Sequence, residues 1–160
     1  MRITIAAIGR LQSGPMASLV DDYAERIRRG GAAQGIADIS IVQFEAPKAL
    51  AGERRQEAEG DWLTKTVGAM PITVALDERG KHLTSANFAD QIRYWRDDGV
   101  REIGFAIGGA DGLSPTFRSS ADLKIAFGAM TWPHMLARVM LCEQLYRATT
   151  ILSGHPYHRA

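Results

Sequence analysis

The chain ends in Gly154-His155-Pro156-Tyr157-His158-Arg159, one residue short of its terminal alanine. An imidazole can move protons near neutral pH, an aromatic ring can stack on a base, and a guanidinium can hold phosphate. Three of the four histidines, His134, His155 and His158, lie between Thr131 and the end of the chain. Chain termini ordinarily fray and carry no such concentration of chemistry, so this terminus is expected to work.

A second group is the run Gly108-Gly109-Ala110-Asp111-Gly112. Glycines let backbone approach a ligand closely, although tight turns between strand and helix require them as well. Two nucleotide readings fall away. Pro15 and Met16 follow Gly14 where a P-loop needs Lys and Ser or Thr, and no GxGxxG follows the first strand. The single cysteine, Cys142, sits in an apolar run and reads as a small buried hydrophobe. No CxxC or HxxxH spacing offers a metal site, so none is expected.

The elements that must position these groups alternate between strand and helix. Arg2–Ile8 alternates as a strand, Met16–Arg29 is helical up to Gly30-Gly31, and Asp38–Phe44 is a second strand. Leu50–Val67 is mostly charged and reads as an exposed helix. Pro71–Leu76 is a strand buried on both faces, followed by a charged loop, Asp77–Lys81. Ser85 is expected to N-cap a helix running to Asp98. Glu102–Ile107 is a strand that enters the glycine loop, and a short helix follows Ser114-Pro115. Leu123–Phe127 is the last strand, and Pro133 opens a long helix that is apolar nearly all round. Such alternation predicts a parallel α/β sheet in one domain, 1–160. Ligands of such sheets bind outside the carboxyl ends of the strands. The loops after Leu76, at Gly108–Gly112 and at Phe127–Trp132 are therefore the expected site. Its backbone amides and apolar walls suit an adenosine without a triphosphate.

The final helix needs cover on several sides, which predicts a homodimer. Glu143 and Arg147 are spaced as an i,i+4 ion pair, whereas Arg138 has no acid at i±3 or i±4 and is open to phosphate, to a partner or to a structural role. Of the 160 residues 46% are hydrophobic and 23% charged, with a net charge of +1, which excludes a uniformly basic nucleic-acid binder. Residues 1–123 carry a net −2, and residues 124–160 carry Lys124, Arg138, Arg147 and Arg159 against Glu143 alone. The start, MRITIAAIGR, is too short and too quickly charged for a signal peptide or membrane span. No membrane association and a cytoplasmic address are expected.

Leu76-Asp77 with Gly80-Lys81, Ile107-Gly108-Gly109 with Gly112-Leu113-Ser114, Met130-Thr131 with Pro133-His134, Arg138-Val139, Glu143–Ala148 and Pro156–Arg159 together resemble the RlmH (YbeA-like) family of small SPOUT-class RNA methyltransferases, over the full length. The resemblance implies a parallel-sheet SPOUT fold with a C-terminal trefoil knot and a homodimer. It implies S-adenosyl-L-methionine (SAM) as methyl donor and N3 of a pseudouridine in 23S rRNA of the assembled ribosome as acceptor. By position it assigns the cofactor to Leu76, Gly108 and the segment Phe127, Gly128, Ala129, Met130, Thr131 and Trp132. Gly128 stands where relatives often carry Ser, and Trp132 is bulkier than the usual residue.

The imide N3 must lose its proton for transfer, and His158 is the expected base. Tyr157 is expected to stack on or orient the target base. Arg159 or Arg138 is expected to hold phosphate or stabilise the developing anion. The rival reading is a non-catalytic ribosome-binding module of the same fold; a second is an α/β enzyme acting on a small nucleotide.

Overall fold

The computed structural model of the chain describes residues 1–159. Five parallel strands form one sheet in the order β2-β1-β4-β3-β5. They are β1 (Arg2–Ile8), β2 (Asp38–Phe44), β3 (Ile72–His82), β4 (Glu102–Ile107) and β5 (Leu123–Ala126). The helices are α1 (Pro15–Gly31), α2 (Gly52–Val67), α3 (Ser85–Asp97), α4 (Pro115–Ser120) and α5 (His134–Ser153). The central strands β1 and β4 are apolar on both faces because helices cover both faces. On one side Ile3, Ile5, Phe105 and Ile107 pack against α1, α3 and α5 through Ile27, Ile92 and Leu141. On the other, Ala6, Ile8 and Ala106 pack against α2 and α4 through Leu63, Val67 and Phe117. The result is a three-layer α/β/α domain.

Three expectations from sequence need correction. The charged run Asp77–Lys81 is not a loop after β3 but part of that strand: β3 pairs with β5 at Val74–Leu76, bulges outward, and resumes pairing at Lys81 and His82. Gly80 makes this possible, since a Cβ there would lie 2.6 Å from the Ile125 backbone. The cap of α3 is Thr84, not Ser85: the Thr84 hydroxyl accepts from the Asn87 amide at 3.1 Å, while the Ser85 hydroxyl donates to Gln144 at 2.8 Å. Finally, α2 is not merely a solvated face, because it buries Glu59, Gly60, Leu63 and Val67 along one stripe.

α5 carries the chain back from the β5 edge. It packs against α1 and α3, and Arg138 on its second turn reaches the end of β1. Cys142 is fully buried there, and burial pushes its thiol up to about 12, so it packs as a hydrophobe.

Candidate active site

The carboxyl ends of β3, β4 and β5 open into a cleft of about 680 Å³, within the usual size of a small-molecule site. Leu76, Ile107 and Phe127 supply apolar wall, and Gly108 and Gly109 supply backbone. Met130 and Trp132 stand at its mouth, 72% and 40% exposed; the Trp132 indole N–H donates to the Phe127 carbonyl at 3.0 Å. Gly128 and Thr131 also line the cleft, whereas Ala129 is exposed and off the wall. Seven of the eight residues expected around a cofactor are thus brought to one cavity by three separate strand ends.

The charged part of the lining comes mostly from the expected segment after Leu76; of it, sequence reasoning missed Arg118 of α4. Asp77, Glu78 and Arg79 line the cleft from the β3 bulge, and Arg118 lines it from α4 with its guanidinium 3.7 Å from Asp77 Oδ2. Sequence reasoning also missed a latch on the glycine loop. Arg55 of α2 pairs with Asp111 (Nε–Oδ2 2.9 Å), and the Gln56 amide donates to the carbonyls of Asp111 and Leu113 at 2.8 and 3.3 Å.

His134, the first residue of α5, lies half-buried at the cleft and shares it with a second, smaller cleft of about 270 Å³. Burial, and then the positive charge of Arg138, hold this imidazole below its ordinary value, so it is neutral at pH 7. The smaller cleft lies over the ends of β1 and β2, and its wall includes Gly9, Lys48, Glu59 and Gly109. The carboxyl of Glu59 is held above its ordinary value, chiefly by burial; Arg55 opposes that shift and Asp111 adds to it.

The four residues expected to do chemistry are not at the larger cleft of their own chain. Arg138 is fully buried and donates to Gln43 Oε1 at 2.6 Å and to the carbonyls of Gly9 and Ile8 at 2.8 and 3.2 Å. It ties α5 to the ends of β1 and β2. The tail folds back along α5. The Tyr157 hydroxyl donates to Glu143 Oε1 at 3.1 Å, and its ring meets that of Tyr146 edge-on at 4.8 Å between centroids. Arg147, paired with Glu143, lies over the Tyr157 ring at 4.8 Å and approaches His158 Nδ1 at 3.4 Å. Arg159 is exposed. Since Glu143 is nine residues along α5 from His134, the Tyr157 hydroxyl is held roughly 14 Å from the cleft edge at 1.5 Å rise per residue. Among the described residues no cluster of His, Cys, Asp and Glu is arranged to hold a metal, and no helix is long and apolar enough to cross a membrane.

A family model described as "Predicted SPOUT methyltransferase" matches residues 1–158. A protein of Ruegeria pomeroyi named ribosomal RNA large subunit methyltransferase H is 52% identical over 159 residues, 99% of each chain. One of the same name from Bradyrhizobium diazoefficiens is 48% identical over all 160 residues, the full length of both. Among solved structures, a probable methylase family protein of Haemophilus influenzae superposes with a TM-score of 0.53 at 10% identity, covering 99% of this chain and 70% of that one. A probable methyltransferase of Bordetella pertussis gives 0.52 at 12% identity, covering 92% and 95%. At such identities these two speak for the fold.

Proposed function

The chain belongs to the SPOUT methyltransferases and groups within them with the ribosomal RNA large subunit methyltransferase H proteins, and from that premise we propose that it transfers a methyl group from SAM to N3 of a pseudouridine in the 23S rRNA of the assembled ribosome, in the cytoplasm. The observation that carries the cofactor reading is the cleft at three converging strand ends, with apolar wall at Leu76, Ile107 and Phe127 and carboxylates at Asp77 and Glu78. The apolar slot fits the adenosine of SAM. Glu78, which has no ion-pair partner among the described residues, would meet its sulfonium or ammonium, whereas Asp77 is paired with Arg118 at 3.7 Å. Leu76, Gly108 and the segment from Phe127 through Gly128, Ala129, Met130 and Thr131 to Trp132 would hold it. Bound there, SAM supplies an electrophilic methyl group.

This chain's own part is then to place the acceptor and take its proton. His158 is the proposed base for the N3 proton, Tyr157 the group that orients the ring, and Arg159 a phosphate contact. Because the tail lies along α5 of its own chain, these residues would serve the cleft of a second subunit. The homodimer this requires has support in Met16 and Leu19, 43% and 45% exposed on the helix that packs beside α5. Arg138 would act indirectly, by fixing the helix that carries His134. The trefoil knot is proposed for the stretch Phe127–Pro133, which brings the chain from the β5 edge to a helix anchored at β1.

Transfer of labelled methyl from SAM to intact ribosomes lacking the modification, with separated subunits and free rRNA in parallel, tests the proposal. Label at a pseudouridine N3 on intact ribosomes is expected. Label on none of them, with SAM bound, would overturn the acceptor.

A further inference from the structure

Glu59 is a buried carboxyl with no hydrogen-bond donor among the described residues. It is 5% exposed, and its Oε2 has no partner. It sits on the buried stripe of α2, one turn before Leu63 and two before Val67. Its two oxygens lie 2.9 and 3.2 Å from where a Cβ on residue 109 would stand, so the carboxyl lies close against the glycine loop. An unsatisfied buried acceptor costs stability, and one retained in a native structure asks for a reason such as strain, a catalytic or ligand-facing role, a water or an ion.

The cleft that Glu59 lines has the right character for a ligand that supplies the donor. At about 270 Å³ it lies below the roughly 300 Å³ at which clefts begin to take drug-sized ligands, so it holds a single small ring. It shares Gly109, Ala110 and His134 with the larger cleft. Lys48 stands exposed on its wall with no ion-pair partner among the described residues. The wall also carries Glu45 and Arg55, the latter paired with Asp111. A nucleotide entering base first would bring its ring to Glu59 and its phosphate to Lys48.

Pseudouridine carries two ring N–H donors, at N1 and N3, whereas in uridine N1 is occupied by the sugar. We propose that Glu59 accepts a hydrogen bond from N1–H of the acceptor pseudouridine, in a subsite it forms with Gly109 and Lys48, and so selects pseudouridine over uridine. The inference rests on the acceptor proposed above. N1 and N3 flank the C2 carbonyl, on the ring edge remote from the glycosidic bond. A base anchored through N1 therefore turns N3 toward the shared wall and the larger cleft. Glu59 takes no proton from N3; its role is to bind and orient.

The test compares ribosomes bearing pseudouridine or unmodified uridine at the acceptor position, with S-adenosylhomocysteine affinity measured alongside. The wild-type protein is expected to prefer pseudouridine by at least about a hundredfold, since a site built to pair an N–H rejects the analogue lacking it. Glu59→Ala should reduce that ratio to below about tenfold through loss on pseudouridine alone, with S-adenosylhomocysteine affinity within about twofold of wild type. Glu59→Gln, which keeps an acceptor oxygen, should restore most of the preference. Lys48→Ala, at an exposed position, should slow both acceptors equally. An unchanged ratio in Glu59→Ala, or a marked loss of S-adenosylhomocysteine affinity, would overturn the subsite. If the wild-type protein methylates neither ribosome, the proposed reaction fails, and the subsite is read directly. Pseudouridine 5′-monophosphate, but not uridine 5′-monophosphate, should then shift the amide resonances of Glu59 and Gly109, and equal or absent shifts would overturn it.

Discussion

Tyr157 donates its hydroxyl to Glu143 Oε1 at 3.1 Å, so the C-terminal tail is clasped to the helix from which it emerges. Burial and the neighbouring Tyr23 and Glu143 hold the phenol well above its ordinary value, so it remains a donor throughout the physiological range. A hydrogen bond to a charged acceptor contributes about 1.5 kcal/mol, roughly tenfold in an opening equilibrium. Tyr157→Phe keeps the ring and its contact with Arg147 but removes the hydroxyl. Hydrogen exchange at the amides of residues 157–159 should quicken by about that tenfold. Unchanged exchange would mean that the ring contacts alone hold the tail.

The pairing of Arg55 with Asp111 joins α2 to the glycine loop, and Gln56 holds the same loop by two carbonyls. Both charged side chains are about a third exposed, so solvent screens much of the pair's attraction. Its contribution is to hold a ligand-facing loop in one shape before the ligand arrives. Arg55→Ala should therefore weaken S-adenosylhomocysteine binding by roughly two- to fivefold, with the melting temperature nearly unchanged. Isothermal titration on the variant decides it; full wild-type affinity would show that the glycines hold the loop unaided.

Arg138 replaces water for three acceptors at the ends of β1 and β2, and no carboxylate among the described residues neutralises it. Arg138→Met keeps most of the apolar stem and removes all three bonds. Gln43 is exposed and its Oε1 also accepts from the Leu11 amide at 2.6 Å, so the loss falls on the carbonyls of Ile8 and Gly9. At about 1–3 kcal/mol for each carbonyl left without a donor, the variant should lose about 2 kcal/mol in urea unfolding. A loss below about 1 kcal/mol would mean that water takes over the carbonyls.

These relationships differ in how far the sequence reveals them. Alternation shows the edge strand β2, and near-continuous apolar runs show β1 and β4, with their observed bounds, because a central strand covered on both faces must be apolar along its own length. The extension of β3 through Asp77–His82 is hidden, because its pairing depends on β5 across a bulge and not on the polarity of its own residues. Arg138 shows only that no acid lies near it in sequence; its acceptors are at Ile8, Gly9 and Gln43, about a hundred residues away along the chain. Glu59 did leave a trace. It stands four and eight residues before Leu63 and Val67, on the one apolar stripe of a charged helix. The three strand-end loops of the cleft were legible from the parallel-sheet rule alone, whereas the clasp on the tail requires α5 and the terminus to be seen together.

The same carboxyl makes a prediction about stability and its pH dependence. Burial raises the Glu59 value above the ordinary 4.5. Between those two values the folded chain holds a proton that the unfolded chain has released, so wild-type stability falls as pH rises through that window. Above it, the native state carries a buried charge without a donor. Glu59→Leu continues the apolar stripe of Leu63 and Val67 and removes both the charge and the titration. At pH 7 it should gain about 1 kcal/mol, or about 3 °C in melting temperature for a chain of this size. The gain should shrink as pH falls through that window and level off below 4.5, where the wild-type carboxyl becomes protonated in both states. Melting curves of the two proteins from pH 4.5 to 8 check this. A variant less stable than wild type at every pH would mean that Glu59 already has a donor in the folded chain, and that its subsite is structural.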